Sequence, residues 1–487
     1  MNFAGGAALL AAMSTVGEVQ RAGGRGLRPS LPALAWLTDP AAIFVVLSAI
    51  FGTVIAAITP PLRGPDEAAH FLRAYGIAQG DIVASQADAQ GRKGIFLAPA
   101  FYAQFALFEA RHAHERTPFR VVAEERSTSA QDSPSIGPVF VPYAGSEGYA
   151  PAPYLPHVAA ALAARLIDLD FVATLYLMRL TGLLAMTLVA AYAITVVPSL
   201  KWTFVAIAML PAALYGRAVI NADGATLAFA MVVAALCLRG AALSERRASH
   251  AVWLALCVLT KPPNLALVLM EAMRAPVGHL ARSWRALVVI IGPAVVAAAA
   301  WSLGSGGDAG AWRLVALTGR TAEQFDPMWK LRFTLEQPLH FPTAVLASFS
   351  DPGELWRQLI GVLGLFDTVL QPWVYPALTV WLVAVCLTPV DSAARHRAAA
   401  VAAASAAAYA LAVFAVFYLI WTPTDAAQIW GVQGRYFVPT LPLVAIIFAC
   451  LINRGPSKRT RATVALGGCL LSGAACIEAI WRAEWTP

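Results

Sequence analysis

The chain has 487 residues, 59% of them hydrophobic, with only 35 Lys and Arg and 28 Asp and Glu. That is 13% charged against roughly 25% in an ordinary soluble domain. With a mean hydropathy of +0.64, too little polar surface remains for an independent soluble domain, and intrinsic disorder is excluded for the same reason. The formal charge of +7 does not indicate nucleic acid as a partner, because many cations stand in short stretches between apolar runs, the pattern of a membrane protein.

In chain order, residues 1–40 hold a weak apolar stretch from Phe3 to Met13 with no cation before it, then Gly- and Arg-rich sequence. That argues against a cleaved signal peptide and predicts a flexible cytoplasmic extension. From residue 41 onward, about eleven apolar runs bounded by charge, Pro or Gly approach the length of a spanning helix. They lie near 41–60, 176–197, 202–217, 222–239, 250–261, 262–275, 285–303, 372–389, 398–421, 435–452 and 462–481. The two runs flanking Lys261-Pro262-Pro263 also fit one kinked helix. The expected fold class is therefore an all-α polytopic membrane protein over 41–487.

Short connections rich in Lys and Arg, such as Arg239 to Arg247 and Arg454 to Arg461, place the N-terminus on the cytoplasmic side. Two long segments, 61–175 and 304–371, then fall outside. In the first, Pro65-Asp66-Glu67 opens a helical pattern that Gly80 stops, 81–148 reads as mixed and looped, and 155–167 reads as a helix at the membrane surface, too short to span.

Asp66 and Glu67 come just past the end of the first span. A carboxylate at the hydrocarbon boundary is partly desolvated, which raises its basicity and suits it to take a proton from a hydroxyl. The same pair also reads as a helix N-cap with a solvated acidic first turn. His70 and Arg73, four and seven residues after Asp66, share its helical face and would suit an anionic substrate. Glu67-x-x-His70 and Glu109-x-x-His112 have the spacing of a two-metal carboxylate site, but such a site needs two further carboxylates on facing helices. Arg63, Arg179, Arg217, Lys261 and Arg435 stand at predicted outer helix ends, where the positive-inside bias disfavours cations. A shared reason to keep them there is a phosphate at the membrane surface. Asn221 and Asp223 add acceptors at the same level, or cap a helix. The six cysteines all lie in apolar runs and read as small packed hydrophobes.

Together, Pro65-Asp66-Glu67-x-x-His70-Phe71-x-Arg73-Ala74-Tyr75, Pro153-Tyr154-Leu155-Pro156, Asn221-x-Asp223, Lys261-Pro262 and Gly434-Arg435-Tyr436-Phe437-x-Pro439 resemble a known pattern. It is that of an uncharacterised family of bacterial polytopic membrane proteins, which looks related to the GT-C superfamily of glycosyltransferases. The resemblance covers about residues 41–452, and the Pro-Asp-Glu-x-x-His segment is its most specific part. It implies a GT-C-like bundle of about 11 transmembrane helices in the bacterial plasma membrane, with a large first extracytoplasmic loop containing juxtamembrane helices. It also implies a sugar donor carried on a polyprenyl phosphate or pyrophosphate, a glycan or lipid acceptor in the cell envelope, and inversion at the anomeric carbon. In that reading Asp66 is the general base and Glu67 a second candidate or an orienting carboxylate. His70 and Arg73 position acceptor or phosphate. Arg217, Lys261 and Arg435 stabilise the departing phosphate, with Arg179, Asp223 and Tyr436 in the same binding set. No cofactor is required by the resemblance, and a divalent metal at Asp66 is compatible with it. The alternative is a transporter or flippase for lipid-linked saccharides, or a structural partner of an envelope assembly. A transporter is expected to carry midplane ionisable groups and matched broken helices.

Overall fold

The apolar runs form helices of two lengths. In this computed structural model, which describes residues 38–114, 137–240, 247–273, 277–305, 311–390 and 394–486, α1 (Pro40–Ile58) begins on a proline, whose missing N–H is harmless in a first helical turn. The expected N-terminal extension lies outside the described residues, as do several of the cations used to orient the chain. The first long connection holds α2 (Glu67–Ala78), β1 (Gly94–Leu97), α3 (Pro99–His114), β2 (Val139–Pro142), a 3-10 turn at Ala152–Tyr154, and α4 (Leu155–Leu166). The bundle continues with α5 (Phe171–Val196), α6 (Lys201–Ala208), α7 (Pro211–Ala218), α8 (Asp223–Leu238), α9 (Arg247–Val258), a 3-10 segment at Pro262–Met273, and α10 (Val277–Gly304).

The second connection carries α11 (Ala311–Thr318), α12 (Pro327–Glu336), α13 (His340–Ala347), α14 (Pro352–Gly361) and the small pair β3 (Val362–Leu363) and β4 (Thr368–Val369). Then come α15 (Val374–Cys386), α16 (Arg395–Ile420), a 3-10 segment at Gly434–Thr440, α17 (Leu441–Ile452) and α18 (Lys458–Glu484). Residues Pro40–Pro487 form one contact unit.

Among the described residues, six helical stretches are long and apolar enough to cross a membrane, and α7 with α8 makes a seventh if that pair, bent by 119°, counts as one span. The protein is therefore a mostly helical multi-pass membrane protein, with fewer full-length spans than the eleven apolar runs. Proline accounts for much of the difference. Pro211 divides the run at 202–217 into α6 and α7. Pro262-Pro263 opens a 12-residue 3-10 segment in place of an α-helix. The runs near 250 and 372 yield only the short apolar helices Ala248–Val258 and Val374–Cys386.

The segment read as looped, 81–148, has more order than expected. Strands β1 and β2 pair antiparallel with Ile95 opposite Val141, and Ile95, Leu97 and Val141 are buried whereas Phe96 is exposed. That is the period-two alternation of a half-buried strand, in segments too short to stand out from the sequence. Phe71 of α2 and Phe105 of α3 pack edge-on against Phe171, the first residue of α5, at 5.2 and 5.6 Å between centroids. Asp170 caps α5 by accepting from the Ala173 N–H. The first connection is thus fastened to the start of a spanning helix, with the residues around Asp66 between the two.

Candidate functional site

Asp66 and Glu67 are neighbours in sequence with opposite surroundings. Asp66 occupies the N-cap position of α2 in the left-handed region, φ 54°, and its side chain makes no capping hydrogen bond. Asp tolerates this conformation better than most residues. Its Oδ2 instead accepts from Arg435 at 2.6 Å, and the side chain is 50% exposed. Glu67 is fully buried. Its two oxygens accept from Nε and a terminal nitrogen of Arg179 at 2.8 and 2.6 Å, from the Ile220 N–H at 2.9 Å and from the Gly64 N–H at 3.0 Å. Those four donors match the roughly four lone-pair positions of a carboxylate. Glu67 therefore ties α2, α5 and the α7–α8 break together, and is not placed to accept a proton from a substrate.

Charges alternate from Asp66 inward. Arg435 also reaches Asp223 Oδ2 at 3.4 Å, and Asp223 Oδ1 is paired with Lys261. Lys261 lies over the Tyr436 ring at 4.7 Å, and the Arg435 guanidinium lies over Phe366 at 4.7 Å and Tyr436 at 5.0 Å. Aromatic faces attract cations and hold them in place. Arg435 is aimed by Gln433, which accepts from its Nε at 2.8 Å, and by Gly434, where a Cβ would meet the Leu355 carbonyl oxygen at 2.0 Å. Only glycine lets this segment lie against α14.

Asp223 is set by the break between α7 and α8. Asn221 Oδ1 accepts from the Asp223 and Gly224 N–H groups at 2.8 and 3.3 Å, which is the capping role weighed for it, and leaves the Asp223 carboxylate to the two cations. A cleft with about 550 Å³ of empty space, including its open mouth, is lined by Asp223, Lys261, Arg435, Tyr436, Tyr409 and Asn221 among others.

His70, one turn after Asp66, is buried, with Nδ1 2.5 Å from the Tyr154 hydroxyl and its ring edge-on to Tyr149 at 5.1 Å. Burial, reinforced by Lys261 and Arg435 and opposed by Asp66 and Asp223, lowers its pKa to about 4. At neutral pH His70 is an uncharged hydrogen-bonding group beside the cluster. Burial, Asp223 and Asp66 push the Tyr149 hydroxyl above its usual value, so it stays protonated.

Four other candidates lie elsewhere. Arg73 does not share the face of Asp66 as a ligand: it is buried and donates to the carbonyl oxygens of Tyr149, Asp81 and Ile82, where it braces the first connection. Arg179 is fully buried and engaged with Glu67 and the carbonyls of Ala56, Thr59 and Pro60. Arg217 points into the bundle, with a terminal nitrogen 3.3 Å from Ser48 Oγ and its guanidinium over Phe44. Arg63 bridges Asp367 and Glu484 at 2.7 and 2.8 Å. Arg63, Arg73 and Arg179 are drawn inward to carboxylate or carbonyl partners, as burial of a guanidinium demands, whereas Arg217 is buried with its Nε left without a hydrogen-bond partner among the described residues. The two-metal alternative fails at its first residue, since Arg179 and two backbone N–H groups already occupy the Glu67 oxygens. Tyr149 and Tyr409 were not singled out from sequence. Tyr149 precedes the Pro151-Ala152-Pro153 turn, but Tyr409 is one tyrosine in the Ala-rich α16 and carries no signal.

A family model described as "Predicted membrane protein (DUF2142)" matches residues 49–444. The chain belongs to the DUF2142 family of membrane proteins. This agrees with the resemblance to a family of polytopic membrane proteins drawn from the motifs. Among solved structures, the chain is similar to ArnT from Cupriavidus metallidurans bound to undecaprenyl phosphate, at 15% identity and a TM-score of 0.36. That match covers 89% of this chain and 63% of ArnT, so the chain spans less than two thirds of that protein. No curated protein sequence matches.

Proposed function

We propose that this DUF2142 protein is a glycosyltransferase of the bacterial plasma membrane, with the N-terminus cytoplasmic and the Asp66 end of the bundle facing outward. It transfers a sugar from a polyprenyl phosphate or pyrophosphate to an envelope glycan or lipid, with inversion. The reading takes a GT-C-like bundle of about eleven crossings, in which the short helices and the 3-10 segment 262–273 complete spans. The observation that carries it is the alternating series Asp66, Arg435, Asp223, Lys261 beside the cleft, with Asp66 its most exposed member.

The series suggests an exchange of partners. A donor phosphate competes with Asp66 and Asp223 for Arg435 and Lys261, and Asp66 is released as a base. The acceptor hydroxyl then loses its proton to Asp66 while its oxygen attacks the anomeric carbon. The sugar–phosphate bond breaks on the opposite face, and the phosphate leaves with the electron pair, stabilised by cations already in position. In this reading Tyr436, which lines the cleft, holds acceptor or phosphate oxygens together with His70 and Tyr149. The donor set does not suit a divalent cation: each carboxylate that faces the cleft is already matched by a side-chain cation, and no step is routed through a metal.

The test uses purified full-length protein, a polyprenyl-linked donor and the variants Asp66→Ala and Asp66→Asn. Transfer is expected to collapse in both, and unchanged transfer overturns the assignment. Comparing envelope glycans of a strain lacking the gene with its parent identifies the sugar and acceptor. The bent α7–α8 pair and the buried Arg217 favour a second reading, a flippase for a lipid-linked saccharide. Proteoliposomes separate the two: a flippase moves the donor across the bilayer without acceptor, whereas a transferase forms product.

A further inference from the structure

Cys237, His250 and Glu271 come from the end of α8, the start of α9 and the end of the 3-10 segment 262–273, and all three are buried. One ligand atom from each lies within 4.8 Å of the others, a grouping that stands alone of its kind among the described residues. Glu271 Oε1 is 3.4 Å from Cys237 Sγ and 3.1 Å from His250 Nδ1. Tetrahedral zinc, with bonds of about 2.0–2.3 Å to N, O and S, separates its ligand atoms by roughly 3.3–3.6 Å. The two contacts of Glu271 are already close to those separations, and the Cys237 and His250 ligand atoms lie within 4.8 Å of each other.

We propose that these residues form a zinc site, with Cys237 as thiolate, His250 through Nδ1, Glu271 through one oxygen and water in the fourth position. Binding releases the thiol proton to solvent. A sulfur, nitrogen and oxygen set suits this borderline-soft ion, whereas calcium and magnesium take oxygen ligands. The cysteine spacing carries no motif because the ligands come from three elements.

The location suggests what the metal does. Helix α8 runs from Asp223 to Cys237, about 21 Å at an α-helical rise. From Lys261, just before the 3-10 segment, to Glu271 within it is about 20 Å at the steeper 3-10 rise. The two lie side by side, joined at one end by the Asp223–Lys261 pair and at the other by the metal. Zinc fixes the register of one rod against the other, and with it the separation of Asp223 from Lys261. It is a structural ion far from the cleft, and it stands whether or not sugar transfer does.

The test is metal content and spectroscopy on the full chain purified in detergent without chelator. Elemental analysis is expected to give about one zinc per chain. After chelation, added cobalt(II) is expected to produce a thiolate charge-transfer band and tetrahedral d–d bands. Cys469→Ser, at a buried cysteine on α18 remote from the trio, retains these bands, whereas Cys237→Ser loses the charge-transfer band. Zinc raises the apparent Tm of the chelated wild type and does not raise that of Cys237→Ser. Background metal with no cobalt band in the wild type overturns the proposal, as does a charge-transfer band that survives in Cys237→Ser. Should Cys237→Ser not fold, the wild-type cobalt spectrum with His250→Gln and Glu271→Gln decides.

Discussion

Asp66 and Glu67 differ by one position and one methylene, yet Glu67 closes a structural joint while Asp66 is half exposed beside Arg435, which lines the cleft. Glu67 is wholly buried with four hydrogen-bond donors. Asp66 is half exposed and meets Arg435 at 2.6 Å. The backbone makes the difference: the left-handed turn at Asp66 sends its side chain toward Arg435, while Glu67 begins the helix and turns into the bundle. A carboxylate that saturates its acceptors at zero exposure is architecture. A carboxylate held by one side of a cation that also serves Asp223 can exchange partners.

The largest effect should come from breaking the closed joint. Glu67→Gln leaves Arg179 buried against a neutral partner, and removing one member of a buried ion pair costs about 3–5 kcal/mol, a large part of a stability of about 5–15 kcal/mol. A sharp loss of folded yield and apparent Tm in detergent is expected. At the open member the opposite holds: Asp66→Asn keeps a residue that tolerates the left-handed turn, so stability should change by about 1 kcal/mol or less while transfer falls about 10²–10⁴-fold. If both variants lose stability equally, the distinction between the two residues is wrong.

Gly434→Ala should be intermediate. Its Cβ would press on the Leu355 carbonyl and the Leu359 nitrogen, at 2.0 and 2.7 Å. Both are backbone atoms, so a cost of about 1–3 kcal/mol is expected, together with a raised KM for the donor as Arg435 shifts.

The most gradual effect is that of pH. Burial lowers the pKa of both His70 and His157 to about 4 from an ordinary 6.5. Above about pH 6.5 both imidazoles are neutral, folded or unfolded. Between there and about pH 4 the unfolded chain takes up protons that the folded chain refuses, so stability falls with acidification. The loss is at most about 1.4 kcal/mol per pH unit for each imidazole. Thermal unfolding at pH 7.5, 6 and 5 checks the slope, and His70→Gln should make it shallower.

Much of this was legible in the sequence, and what was not had a physical cause. Charge scarcity and apolar runs announced a membrane bundle, but run length overcounted the full-length spans, because Pro211 and Pro262-Pro263 interrupt backbone hydrogen bonding inside apolar sequence. The cations at outer helix ends pointed to Lys261 and Arg435, which do meet Asp66 and Asp223. The same reasoning nominated Arg179 and Arg217, since a helix end fixes depth in the bilayer but not direction. Only the resemblance ranks Asp66 above Glu67; the residues alone do not separate them, because their partners stand 369 and 112 positions away. A tyrosine such as Tyr409 becomes informative only once its helix is packed.

The long-range ion pairs also constrain how the protein is made. Asp66 waits for Arg435, 369 positions later, and Arg63 for Glu484, 421 positions later. A chain emerging from the ribosome inserts α1 first, yet the Asp66–Arg435 pair waits for the segment before α17 and the Arg63–Glu484 pair for the end of α18. The cleft is therefore among the last parts of the molecule to form, and a nascent chain halted between α5 and residue 435 holds every element of the first connection but no assembled site.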